Sequence, residues 1–307
     1  MKEEKPEIET ASVLEKDVRH LAEVIGERNM STAGTMSISA EWIEQRMNDS
    51  GLSPYRHNYT LSEGVMRAAE GGSADNIISE IPGKTDQDKI VVIGAHYDTV
   101  PFSPGANDNA SAVAVLLDLC AWITTQTFDK TVRLVSFANE EPPYFLTSNM
   151  GSYAYAAECR HKNENIVAMI SMDGVGCFSE NPKSQQYPVP GLRWCYPDKA
   201  DFIGMVTRVS DRSLLRRVLK SFRSEARISV QGAALPAYTP GVFWSDHWSF
   251  WKHNYPALLV TDTLPFRDQH YHTPNDTPDR LDYIQMARVA LGLRSVVADL
   301  ADSRSNN

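Results

Sequence analysis

Several features that would assign this chain to a class directly are missing from its sequence. Cysteine is scarce: the 307 residues contain only Cys120, Cys159, Cys177 and Cys195, and no two are spaced as Cys-x-x-Cys. We therefore do not expect a zinc ion held by cysteines. Cys177 and Cys195 share a loop-rich stretch and could pair, but free thiols are the expectation because cytosolic chains of this size normally stay reduced.

Long apolar runs are also missing. None approaches the roughly 20 residues that a helix needs to cross a bilayer, so we expect no membrane contact. The first nine residues are mostly charged and contain no apolar segment, which does not resemble a secretory signal. The sequence as written predicts a cytoplasmic protein, with secretion after loss of a leader as the alternative.

Positive charge is not in excess. The chain has 30 lysine and arginine residues against 39 aspartate and glutamate residues, a formal net charge of −9. This balance argues against nucleic acid as the main partner, and a bound metal would neutralise part of the acidic excess. Hydrophobic residues at 42% and charged residues at 22% are ordinary for a soluble globular protein.

Hydrophobic periodicity predicts strands that alternate with helices. Amphipathic helices are expected at 13–27 and 38–50, before a strongly buried strand at 89–95. Further strands are expected at 55–60, 76–81, 131–138, 166–172, 202–207 and 257–261, and helices at 110–124, 150–159, 214–227 and 282–300. This alternation is typical of an α/β fold with a mostly parallel sheet covered on both faces. In such folds, ligands gather outside the carboxyl ends of the strands.

Acidic residues follow several of these predicted strands. Glu140 and Glu141 end one strand side by side, Asp173 follows another, and Asp262 follows a third. Adjacent residues at a strand end point in different directions, so one carboxylate can bind a metal while its neighbour acts on a water molecule. Two such acids cost solvation free energy unless a cation lies beside them. A solvated acidic pair is the alternative, although the apolar residues 142–145 that follow argue against it.

Histidines supply the remaining candidate ligands. His96 ends the strand at 89–95, and Asp98 is placed to orient its ring. Asp108 lies in a Gly/Asn turn that opens a helix, where a helix cap is the ordinary explanation. His272 lies in a turn-rich loop with His270 and Asp276 as neighbours. Two histidines and three carboxylates together suit zinc, with cobalt or manganese as alternatives.

The ordered motifs carry a family resemblance. They are His96-Tyr-Asp98, Gly105-Ala-Asn-Asp108-Asn-Ala-Ser, Asn139-Glu-Glu141, Met172-Asp173, Ser245-Asp-His247 and Tyr271-His-Thr273. Over residues 75–284 the chain resembles the co-catalytic dizinc aminopeptidase family, which includes bacterial leucyl aminopeptidases and, more distantly, glutaminyl cyclases. The resemblance implies one three-layer α/β/α domain of the zinc-exopeptidase type over residues 1–307. The helices at 13–50 would pack on it, and residues 178–240, where no motif matches, would form a lid or an insert.

The resemblance also implies a function. The enzyme would be a zinc aminopeptidase, a hydrolase that removes N-terminal residues from peptides by means of a hydroxide held between two zinc ions. His96 and Asp173 would hold one ion, Glu141 and His272 the other, and Asp108 would bridge them. Glu140 would act as general base and then acid, and Asp98 would orient His96. A cis peptide bond is implied at Asp108–Asn109.

Other functions stay open at this point. A single-zinc glutaminyl cyclase would keep much of the ligand set, although Tyr271 rather than Trp precedes His272. A carboxypeptidase or aminoacylase would need a cation for the substrate carboxylate, with Arg193, Arg208 and Arg267 as candidates. An inactive binding module is a further alternative. The sequence leaves the natural peptide and the oligomeric state unknown. Aromatic residues could form an apolar pocket for the substrate side chain; the candidates are Tyr144, Phe145, Phe178, Tyr238, Phe243, Trp244, Trp248 and Phe250.

Overall fold

One mixed sheet of eight strands forms the centre of the protein. A computed structural model describes residues 4–62 and 72–302. The strands are β1 Tyr55–Thr60, β2 Ser73–Ile81, β3 Asp86–His96, β4 Lys130–Phe137, β5 Asn165–Met172, β6 Phe202–Arg208, β7 Ser229–Leu235 and β8 Ala257–Thr261. Their order across the sheet is β1-β2-β4-β3-β5-β8-β6-β7. The strands β4, β3, β5 and β8 run parallel, whereas β6 is antiparallel to β8.

Helices cover both faces of this sheet. They are α1 Lys5–Arg19, α2 Thr35–Asp49, α3 Ala112–Ile123, α4 Gly151–His161, α5 Arg212–Glu225, α6 His247–Lys252 and α7 Tyr283–Ala301. One core joins α1, α2, α3, α5 and α7, and the other joins α4 and α6. Strand β3 shows the alternation that a doubly covered sheet requires: Val91 and Ile93 face the first core, and Ile90 and Val92 face the second. The predicted three-layer α/β/α fold is confirmed.

The first helix differs from its predicted bounds, whereas the last helix, α7, agrees with them to within one residue. Helix α1 begins at Lys5 rather than at 13, because Pro6 stands in its first turn and Glu4 and Glu7 form a reciprocal cap. Glu7 is buried against Arg227 and Arg288, which ties this first turn to the rest of the molecule.

The segment 178–240 contributes three elements to the fold. Strand β6, helix α5 and strand β7 lie within it, and β7 forms the edge of the sheet. Strand β7 was not predicted, because Gly232, Ala233 and Ala234 give it little strand propensity. The residues before β6 and after β7 form the loops that lie near the carboxyl edge of β8.

The sequence predicts free cysteine thiols and no segment that crosses a membrane. All four cysteines are free thiols. In the two described ranges no helix combines the length and the apolar character that crossing a membrane requires.

Candidate metal centre

The first group of candidate ligands forms where β3 and β5 end. His96, the last residue of β3, is fully buried. Its Nε2 lies 3.3 Å from Asp108 Oδ1 and 3.3 Å from Asp173 Oδ1. Asp173 directly follows β5, and its backbone N–H donates to the carbonyl of Val260 on β8. We call His96, Asp108 and Asp173 the first cluster; their donor atoms all lie within 4.8 Å of one another.

A second cluster shares one residue with the first. His272 Nε2 lies 3.0 Å from Asp108 Oδ2 and 3.1 Å from Glu141 Oε1. Asp108 therefore directs one carboxylate oxygen to each histidine. The ring of Tyr271 stacks on that of His272, with 3.7 Å between their centroids. The structure thus brings together all five predicted metal ligands in two overlapping clusters.

The spacing of the donor atoms tests whether a cation fits. Zinc binds histidine nitrogen and carboxylate oxygen at about 2.0 Å, so two donors on a tetrahedral ion lie about 3.3 Å apart. The four separations that join histidines to carboxylates range from 3.0 to 3.3 Å. Burial raises the pKa of the Glu141 carboxyl to about 8 and also raises that of Asp173. A cation would oppose both shifts because it stabilises the ionised form. Each cluster therefore fits a zinc-type ion.

Asp98 connects the end of β3 to the end of β4. Its Oδ1 accepts the backbone N–H of Glu140 and its Oδ2 that of Glu141, both at 3.0 Å. Nδ1 of His96, on the side of the ring that faces away from the cluster, lies 3.2 Å from the Asp98 backbone carbonyl oxygen and 3.4 Å from Asp98 Oδ1. Asp98 can therefore fix the His96 ring and the backbone of both glutamates at once.

Glu140 lies beside the clusters without joining either of them. It is buried, and its Oε2 is 3.9 Å from His96 Nε2. Burial raises the pKa of the Glu140 carboxyl well above its usual value; His96 opposes this effect, and the charges of Asp173 and Glu141 add to it. A carboxylate with a raised proton affinity next to two candidate cation sites is suited to accept a proton.

Two further acids support the loop that carries Asp108. Asp276 accepts the backbone N–H groups of Asn107 at 2.8 Å and Asp108 at 3.1 Å. Asp262 accepts the side-chain amide of Asn107 at 2.9 Å. The peptide bond between Asp108 and Asn109 is cis, as the family resemblance implied. The sequence places Asp262 after a strand and Asp276 in the loop of His272. It does not indicate which groups these two acids bind.

A cavity of about 300 Å³ opens at the clusters. Its lining is largely apolar but includes the polar residues Asp108, Glu140, Glu141, Asp173 and His272. Of the predicted aromatic residues, Phe145 and Trp244 line it. The others do not: Phe250, for example, is buried in the second core, and Tyr238 is 83% exposed. Within the described ranges, no lysine or arginine lines the cavity.

Sequence comparison links the chain to known proteins. Residues 76–297 match the family described as peptidase family M28. The chain is 36% identical over 288 residues to the uncharacterized protein YfbL of Escherichia coli K12, covering 91% of this chain and 85% of YfbL. It is 25% identical over 284 residues to a probable leucine aminopeptidase 1 of Trichophyton verrucosum, covering 86% of this chain and 67% of that protein.

Solved structures share the fold. BSAP, a zinc aminopeptidase from Bacillus subtilis, superposes with a TM-score of 0.73 at 17% identity, covering 97% of this chain and 96% of that one. The glutaminyl cyclase of Fimbriiglobus ruber superposes with a TM-score of 0.67 at 17% identity, covering 94% and 95%. At such identities the likeness concerns the fold.

Proposed function

The chain belongs to peptidase family M28, and from this premise we propose that it is a zinc aminopeptidase, a metal-dependent exopeptidase that hydrolyses the first peptide bond of peptides with a free N-terminus. The observation that carries the proposal is the position of Asp108 between two histidines, with one oxygen directed to each. One carboxylate so placed is suited to bridge two cations in a co-catalytic centre.

We assign the candidate ligands accordingly. His96 and Asp173 would hold one zinc ion, Glu141 and His272 would hold the other, and Asp108 would contribute to both sites. Cobalt or manganese would suit the same nitrogen and oxygen donors. When bound, the two cations supply Lewis acidity to the scissile carbonyl and to a water molecule.

The protein's own residues move the proton. Glu140 takes a proton from the attacking water onto a carboxylate oxygen and returns it to the amine nitrogen as the C–N bond breaks. Asp98 holds Glu140 in place through its backbone N–H and orients His96. Because Glu140 makes no ligand-type contact in either cluster, it is free to exchange this proton.

The charge of the cavity favours an N-terminal substrate. Four carboxylates belong to its lining, and within the described ranges no lysine or arginine lines it. A carboxypeptidase would need such a cation to bind the substrate carboxylate, whereas an aminopeptidase would not. Two of the arginines considered for a carboxypeptidase are engaged elsewhere: Arg267 donates to the Phe202 carbonyl, and Arg208 pairs with Asp211. Arg193 packs on the Trp194 ring.

A panel of aminoacyl-arylamides tests this proposal. The zinc-loaded protein is expected to release the arylamine from substrates with a free α-amine, and acetylation of that amine should lower kcat/KM at least about 100-fold, because the ammonium loses its charge-assisted contacts. Release of arylamine measures the rate, and N-acetylated substrates are the matched controls. Equal cleavage of both forms would contradict the aminopeptidase assignment. Cyclisation of Gln-peptides without arylamide hydrolysis would identify a glutaminyl cyclase instead.

The shape of the cavity floor bears on the substrate side chain. Cross-strand neighbours Thr261, Gly204 and Gln231 form one row across β8, β6 and β7, and all three line the cavity. Because neighbouring strands lie about 4.8 Å apart, the floor extends well beyond the metal ligands. Phe202 and Val206 flank Gly204 along β6, so the missing side chain of Gly204 leaves a depression that admits a large apolar side chain.

Filling this depression should change the substrate preference. In Gly204→Val, we expect kcat/KM for phenylalanyl- and leucyl-arylamides to fall about 10–100-fold, since one methylene in an apolar pocket is worth that much. The kcat/KM for alanyl-arylamide should change less than about threefold, because the small alanine side chain does not need the depression. A Cβ at Gly204 would lie 3.1 Å from the Thr261 carbonyl oxygen, so the neighbouring strand must move by a few tenths of an ångström, and circular dichroism verifies that the variant is folded. Gly191→Val is the control, because a Cβ there has no neighbour within 4 Å. An equal loss for all three substrates would show that Gly204 does not select the side chain.

A further inference from the structure

Arg28 is a fully buried arginine that makes no ion pair within the described ranges. It follows the helical turn His20–Ile25, which extends α1. Its guanidinium donates instead to five backbone carbonyls, those of Leu21 at 3.0 Å, Gly26 at 2.8 Å, Tyr97 at 2.8 Å, Pro104 at 2.7 Å and Gly105 at 2.9 Å. Nη1 serves three of these carbonyls with its two N–H groups, so one of its bonds is shared, and Nε and Nη2 serve one carbonyl each.

Three of these carbonyls lie beside metal ligands in the sequence. Tyr97 directly follows His96, and Pro104 and Gly105 precede Asp108 in the same loop. A backbone link strengthens the connection: the Thr99 N–H donates to the Arg28 carbonyl at 2.7 Å, and the Arg28 N–H donates to the Thr99 hydroxyl at 3.0 Å. The residue that joins His96 to Asp108 through space therefore belongs to the N-terminal segment, outside residues 76–297 that match the family.

The loop that contains Gly105 packs tightly against Arg28. Gly105 has a φ of +57°, and a Cβ there would lie 2.3 Å from Thr99 Cγ2, 2.4 Å from the Asp108 carbonyl oxygen and 3.0 Å from Arg28 Nη2. Only glycine tolerates both this backbone conformation and this close approach. The contacts of Arg28 thus set the path of the chain between the two ligands.

A lysine at position 28 could not make the same set of hydrogen bonds. Burial lowers the pKa of Arg28 to about 10, with the charges of Asp276, Asp98 and Asp108 opposing the shift, so the side chain stays charged at neutral pH. An ammonium group has three donors on a single nitrogen and cannot span five carbonyls. Buried carbonyls that lose their donor are free to move toward water.

We propose that Arg28 is a positioning residue of the metal centre, which sets zinc affinity by fixing the spacing between His96 and Asp108. The inference rests on the proposed function only in taking these two residues as zinc ligands. It assigns to the N-terminal segment a part in metal binding, in addition to its packing against α3 and α7.

Zinc titration of the full-length protein, stripped of metal and competed with a chelator of known affinity, tests the proposal. Arg28→Lys and Arg28→Met are expected to raise the zinc Kd about 10–100-fold, the usual loss when groups that hold a ligand are removed. The zinc-induced rise in Tm should shrink accordingly. Arg46→Met is the matched control: Arg46 also bonds within the N-terminal segment, to Asp17 at 2.8 Å, but touches neither ligand loop.

These measurements distinguish a residue that positions the zinc ligands from one that only stabilises the fold. If the Arg28 variants lower the Tm of the metal-free protein but bind zinc as the wild type does, the proposal is wrong. Should both variants fail to fold, Arg28→Gln decides, because its amide keeps two donors but cannot reach all five carbonyls; an unchanged zinc Kd there overturns the proposal. A wild-type protein that binds no zinc would instead contradict the proposed function.

Discussion

Replacing Glu140 with glutamine is expected to lower kcat by about 10²–10⁴-fold, the usual contribution of a general acid–base group, while the zinc content stays at the wild-type level. The amide has nearly the same shape but cannot accept a proton from water. Glu140 belongs to neither candidate cluster, and its nearest approach to His96 Nε2 is 3.9 Å. Steady-state kinetics at saturating zinc, together with metal analysis of the same sample, measures both quantities.

The neighbouring residue provides the control. Glu141→Gln makes the same chemical change one position along the chain, but at a residue whose Oε1 lies 3.1 Å from His272 Nε2. We expect this variant to lose about one of its two zinc ions together with activity, because a neutral amide is a poor zinc ligand. The two variants should therefore differ in metal content. If Glu140→Gln also lost zinc, or kept a large fraction of the wild-type kcat, its assignment as the base would fail.

Removal of the shared carboxylate should have the largest effect on metal binding. In Asp108→Ala we expect both zinc ions to be lost and hydrolysis to fall to the background rate, because each cluster loses a ligand. Asp173→Ala and Glu141→Ala remove a ligand from one cluster each and should retain about one ion, since a metal site depends on its own ligand set. Zinc per chain, measured by mass spectrometry after dialysis against a fixed free-zinc concentration, distinguishes these cases.

The zinc contents of these three variants have to be compared with one another. A bridging role requires Asp108→Ala to lose more zinc than either single-cluster variant. Equal zinc contents in all three would show that Asp108 serves one ion at most. A folded Asp108→Ala protein, verified by circular dichroism, excludes general unfolding as the cause.

The candidate ligands could be predicted because of a simple geometric rule. His96, Glu141 and Asp173 follow strands of one parallel set, and the carboxyl ends of parallel strands meet at one edge of a sheet. Residues that are distant in sequence therefore had to converge once the strands were assigned correctly. His272 lies on a loop after β8 and was placed by its motif rather than by this rule.

The groups that support the ligands were harder to predict, for a different reason. Arg28, Asp262 and Asp276 act by binding backbone N–H and carbonyl groups of remote loops. Backbone groups are the same at every position, so such contacts leave no pattern in the sequence. Strand β7 was missed because its glycine and alanines are weak strand formers, and its pairing with β6 supplies the missing preference.

Anomalous diffraction from zinc-loaded crystals can locate the ions of the two clusters. We expect two zinc peaks about 3.5 Å apart, one beside His96 and Asp173, one beside Glu141 and His272, with the Asp108 carboxylate between them. A single peak that leaves one histidine without metal, or peaks outside the two clusters, would contradict this expectation.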